Sequence, residues 1–161
     1  MELILCHFTN LSTNQPKIST MSNSSNNHGA FLIRVTLGTI LLAHGLLKIF
    51  VFTIPGTVVF FESMGLPAIA AHLTIFGEVV GGTGLILGVY PRLVALLSLP
   101  ILIGAAWAHI GNGWVFSNQG GGWEFPVLLI TLAIAVTLQG AGSLAIKRLP
   151  FVDSLIPALL K

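Results

Sequence analysis

At 161 residues the chain has room for one domain. Only 7% of residues are charged and 54% are hydrophobic, with a mean hydropathy of +0.93, against roughly 25% charged in an average soluble domain; a water-soluble fold is excluded. A net charge of +2 on so few charges leaves no basic stripe with interleaved aromatics, so nucleic acid is excluded and the partner is a lipid bilayer.

Residues 1–29 read as a tail. Residues 12–27 are rich in Ser, Thr and Asn and lack apolar periodicity; such a stretch cannot offset its ordering entropy, and disorder is expected. Residues 1–8 are too short, and lack the positive flank, for a secretory signal. Met21 offers an alternative start. Cys6 is the only cysteine, which removes intrachain disulfides and CxxC relays. Electron transfer would therefore use a bound cofactor, a lipid-soluble carrier or a partner.

About 20 apolar residues at 1.5 Å each cross about 30 Å of hydrocarbon. That rule places spans at residues 30–50, 68–90, 93–110 and 125–146. The expected fold is all-α: an integral membrane four-helix bundle over residues 30–148, with a short cytoplasmic tail at 149–161. In the first span Arg34, His44 and Lys48 are ionisable. The loop after it, Thr57 to Met64 between Pro55-Gly56 and Gly65-Leu66-Pro67, is apolar enough to lie as a short amphipathic segment at the outer interface. The second span carries His72, Glu78 and a stripe of Gly77, Gly81, Gly84 and Gly88, which reads as a helix-packing face. Pro91 separates it from the third span so tightly that the two form a hairpin. Pro100 should kink the third span, which ends at His109. Glycines at 111, 113 and 120–122 punctuate the turn before Trp123 and Glu124 open the fourth.

Lys17, Arg34, Arg92, Lys147, Arg148 and Lys161 fall on one side and Lys48 towards the other. By the positive-inside rule both termini are cytoplasmic and the longer loops face outwards, in a bacterial inner (plasma) membrane. His44, Lys48, Glu78, His109 and Glu124 then share the outer half of the bundle. An ionised side chain in a span carries a penalty of roughly 2.5–3.5 kcal/mol at a helix centre even on mild scales, so the cluster marks a site. Arg34 reads as a snorkelling cytoplasmic anchor, His72 as an interfacial bystander, and Trp107, Trp114 and Trp123 as an aromatic belt, with Trp123 also a pocket wall.

The segments RVTLGTILLAHGLLK (34–48), GT-x-x-FF-x-x-x-GLP (56–67), GEVVGGTGLILGVYPR (77–92), GGWE (121–124) and QGAG (139–142) together resemble the DoxX family of small four-helix membrane proteins. The resemblance implies an oxidoreductase or quinol-linked subunit. Family members often follow GAG with a polar run ending in Asp; here the chain reads Ser143-Leu144-Ala145-Ile146, so no role of that acid carries over. The expected function is that of a membrane subunit of an oxidoreductase system, handling a quinone or a related small redox molecule as substrate. His44 and Lys48 would donate to its carbonyls and Glu78 would carry protons, these three being the catalytic candidates. His109, Trp123 and Glu124 would bind substrate on the outer side. There is no flavin or nucleotide motif and no metal set, so a soluble oxidoreductase partner subunit is expected, and a homo-oligomer stays open. Three alternatives remain: a small-molecule or ion transporter, a non-catalytic scaffold subunit and, weakest, haem held by His44 and His109.

Overall fold

The computed structural model describes residues 18–146 together with Pro157 and Leu160. The start of the expected tail, residues 1–17, and most of the one at 149–161 lie outside the described residues. The chain forms α1 (Ile18–Phe50), α2 (Ile54–Ser63), α3 (Ala68–Leu87), α4 (Pro91–His109) and α5 (Glu124–Gln139), with a 3-10 turn at Ile110–Asn112. No β-strand occurs among the described residues.

Each long helix buries one narrow stripe. On α3 it is Ala71, Ile75, Glu78, Gly82 and Leu85; on α4 Pro91, Ala95, Ser98 and Leu102; on α5 Pro126, Leu129, Ala133 and Val136. Arg34, Leu37, Leu41 and Gly45 are the equivalent positions of α1. Spacings of three and four keep these residues on one helical face. In a soluble bundle the opposite face would be polar; here it carries exposed Leu32, Phe76, Leu97 and Ile134. Such helices have hydrocarbon as their outer solvent. Among the described residues three helical segments are long and apolar enough to cross a membrane, at Ser25–Phe50, Ala68–Leu87 and Pro91–Asn112.

Two boundaries differ from the sequence expectation. The polar stretch expected to be disordered is helical from Ile18. Extending a helix that the span has already nucleated adds a bond per residue without a new nucleation penalty. Its last turn is also held, because the Ser143 N–H donates to the Asn27 carbonyl at 3.0 Å. The fourth apolar run, expected over 125–146, is helical only to Gln139. Gly140 and Gly142 adopt φ of 85° and 66°, which ends the helix and turns the chain across the end of the bundle, towards Arg34 and Leu87. At 16 residues α5 is about 24 Å long, short of the crossing length.

The helices close a ring, with α1 packed on α3, α3 on α4, α4 on α5 and α5 back on α1. The core is built from Leu37, Leu41, Leu85, Ala95, Leu102, Leu129, Ala133 and Val136. The tightest seam is α1–α3. A Cβ on Gly82 would stand 2.6 Å from the Leu42 nitrogen and 2.7 Å from the Gly38 carbonyl oxygen, so only glycine permits this approach. The glycine stripe read from the sequence faces α4 more loosely: a Cβ on Gly77 would press on Ile101, while one on Gly81 or Gly84 would only touch Val94. Gly88 closes α3 in a left-handed cap, its N–H and that of Val89 donating back to Leu85 and Gly84. The short α2 fills the apolar loop expected after the first span, with Val59 and Phe60 exposed and Thr57 buried. The Thr57 hydroxyl faces the carbonyls of Thr53 (3.0 Å) and Lys48 (3.3 Å), tying α2 to the end of α1.

Candidate functional site

Two charged centres lie on the buried face of α1, fourteen residues or about 21 Å apart. The first overturns the snorkelling expectation. Arg34 is fully buried and donates all of its N–H bonds to backbone carbonyls. Nε reaches Ala141 at 2.9 Å, Nη1 reaches Leu85 and Ile86, and Nη2 reaches Ser143 and Leu144 at 3.2 and 3.1 Å. A guanidinium has five such donors in a fixed fork, and these five bonds use every one. Its partners are carbonyls of the last turn of α3, where a helix carries partial negative charge, and of the turn after α5. The Phe31 ring lies 5.4 Å from the guanidinium carbon. The acid-free run Ser143–Ile146 thus meets this cation with carbonyls. Arg34 has no donor left for a ligand; it is a structural clasp.

The second centre is an ion pair. Lys48 Nζ lies 2.8 Å from both Oε1 and Oε2 of Glu78. Glu78 comes from the buried stripe of α3, and Lys48 continues that of α1 past Gly45. The absence of a side chain at Gly45, where a Cβ would come 3.1 Å from the Glu78 Cβ, lets the two helices approach beside the pair. An ammonium has three donors and each carboxylate oxygen has a second lone pair. Unlike Arg34, this pair therefore keeps unused hydrogen-bonding capacity.

His44 stands one turn before Lys48. Its ring stacks on Phe125 of α5, with centroids 6.2 Å apart at 28°. His44 Nδ1 lies 2.8 Å from the Ile40 carbonyl oxygen. That oxygen can only accept, so Nδ1 carries the proton and Nε2 is the nitrogen available to a ligand. His72 and His109 bond their i−4 carbonyls in the same way.

The expected outer residues lie where α4, the loop after it and α5 meet, apart from the ion pair. His109 donates to Ala105 at 2.8 Å, and its ring borders Gly121. Glu124 Oε1 accepts from the Phe116 N–H at 2.7 Å. Trp123 meets Trp114 edge-on at 4.4 Å. Asn112 donates to the carbonyls of Gly120 and Gly121 and accepts from Asn118 through its own carbonyl. Asn112 was legible with Gly111 and Gly113 as part of the turn; Asn118 was not singled out, although a short amide near glycines is a signal for such a turn. The structure thus joins Lys48 to Glu78 with His44 beside them, while the hydrogen bonds of His109 and Glu124 go elsewhere.

The DoxX family model matches residues 29–111, more than half of the chain, including Arg34, His44, Lys48, Glu78 and His109. The chain belongs to the DoxX family. It is 35% identical over 130 residues, 81% of this chain and 91% of the relative, to a Bacillus subtilis (strain 168) protein named "Putative oxidoreductase CatD". No solved structure matches. With the three apolar helices, this DoxX relationship makes the chain a membrane protein.

Proposed function

We propose that this DoxX protein is the membrane subunit of an oxidoreductase system and binds the head group of a quinone at Lys48, Glu78 and His44. The observation that carries the reading is the contrast between the two charged centres: Arg34 is saturated, whereas the Lys48–Glu78 pair and His44 Nε2 retain hydrogen-bonding capacity. The name of the Bacillus relative supports the reaction class. Reduction of a quinone to a quinol takes two electrons and two protons. The electrons come from a soluble oxidoreductase partner subunit, because the chain has no flavin or nucleotide motif. Lys48 donates to a quinone carbonyl, His44 Nε2 accepts from the quinol hydroxyl, and Glu78 passes protons.

In this reading the protein sits in a bacterial inner membrane with both termini cytoplasmic and α2 at the outer interface. It crosses four times, with α5 and the turn after it as the last crossing. The return of residues 141–144 to Arg34 supports that path, since it brings the end of α5 to the α3–α4 end of the bundle.

Infrared difference spectra of purified protein in lipid nanodiscs test the head-group site. A bound short-chain quinone should show its carbonyl stretch shifted to lower frequency, and Lys48→Met should remove the shift. An unshifted carbonyl in the wild type contradicts the site. Glu78→Gln should abolish turnover while the protein still inserts. A second reading, a non-catalytic scaffold subunit, draws on the bidentate closure of the pair; it predicts that both variants alter assembly with a partner and leave the spectra untouched.

A further inference from the structure

A groove of about 270 Å³ opens on the side of the protein, between the end of α1, the start of α2 and α3. Ile49, Ile54, Ile75, Phe76, Val79 and Val80 line it. Phe76 and Val80 are 64% and 52% exposed, so its mouth lies on the hydrocarbon-facing surface. The one polar lining residue is His72, whose Nδ1 is engaged by the Ala68 carbonyl at 3.0 Å. Ile49 and Val79 directly follow Lys48 and Glu78 in their helices, which puts the groove along the flank of the ion pair. At about 30 Å³ per water-sized group the space takes about nine methylene-sized groups.

We propose that this groove holds the isoprenoid chain of the quinone whose head group lies at the ion pair. The inference rests on the quinone reading and adds a second contact to it. An occupant entering sideways from lipid must be apolar where Phe76 and Val80 receive it. The position of Ile49 and Val79, each next to one partner of the Lys48–Glu78 pair in its helix, suits a molecule that is polar at one end and hydrocarbon along its length. A chain leaving lipid gains little from the hydrophobic effect, so its fit rests on van der Waals contact with these walls. The groove therefore contributes selection for chain shape more than gross affinity.

The test uses the full chain in nanodiscs and a quinone carrying a photoactivatable diazirine within its first two isoprene units. After illumination, mass spectrometry should find severalfold enrichment of label at Ile75, Phe76 and Val80 over other lipid-facing positions. Unlabelled isoprenoid quinone should compete it away, and Val80→Trp, a change at the lipid surface that narrows the groove, should suppress it. Label spread evenly over the lipid-facing helices overturns the groove, whatever the infrared result at Lys48. Equal competition by a straight-chain fatty acid overturns the isoprenoid assignment in favour of a generic acyl site. Focused, quinone-competed label that survives Lys48→Met/Glu78→Leu upholds the groove and rejects the head-group site.

Discussion

Arg34 and the Lys48–Glu78 pair show how differently two buried charges can be satisfied. The pair is a private contact between two side chains, so removing one partner leaves the other charge uncompensated, typically a loss of about 3–5 kcal/mol. We expect Glu78→Gln to lower thermal stability in detergent by most of that amount, and the double change Lys48→Met/Glu78→Leu to recover it. A double-mutant cycle checks this: additive losses would mean that the 2.8 Å contacts contribute no coupling. Arg34→Lys keeps the charge but offers three donors to five carbonyls. Each buried carbonyl left without a partner is worth about 1–3 kcal/mol, so the variant should melt earlier than wild type while its quinone carbonyl shift stays. An unchanged melting temperature would contradict the clasp. The pair was legible in the sequence, because Lys48 follows His44 by one turn and Glu78 lies at comparable depth. The clasp was not. Its partners are carbonyls, which every residue possesses, and they come from segments about 50 and 110 positions away.

Helix ends and seams follow the glycines. A side chain at Gly82 would meet the α1 backbone directly, whereas nothing lies within 4 Å of a Cβ on Gly104. Gly82→Ala should therefore separate α1 from α3 and destabilise the protein by on the order of 1–3 kcal/mol, as overpacking does. Gly104→Ala should be neutral or slightly stabilising through helix propensity. Melting curves of the two variants decide the point, and equal effects would contradict the assigned seam. Gly88→Ala should be worse than either, because its φ of 73° is left-handed and its Cβ would reach Arg34 Nη1 and Ala145. From the sequence, apolar length located α1, α3 and α4 and the hairpin at Pro91. It overran α5, since residues 140–146 are apolar enough to continue a span and only the backbone at Gly140 and Gly142 shows that they do not. It also set the start of α1 too late, because polarity marks where lipid ends and helix propagation does not stop there.

The described helices form a ring with a saturated charge centre at one end and an unsaturated one towards the other. Its membrane character was legible from composition alone, and its family from the order of weak motifs along 34–142. The gathering of five polar groups was legible only in part. Depth along a span says which residues share a layer of the membrane, while azimuth and loop course decide which of them touch: Glu124 is engaged by the Phe116 N–H of the loop and His109 bonds Ala105 of its own helix. The account therefore stands on the unused capacity of Lys48, Glu78 and His44. Equilibrium binding of a short-chain quinone to wild-type protein and to Lys48→Met/Glu78→Leu, with melting curves confirming that the double variant is folded, tests it most directly. The account predicts saturable binding by the wild type and a loss of at least about tenfold in affinity in the double variant, roughly 1.4 kcal/mol or more. Equal affinity in the two folded proteins would contradict it.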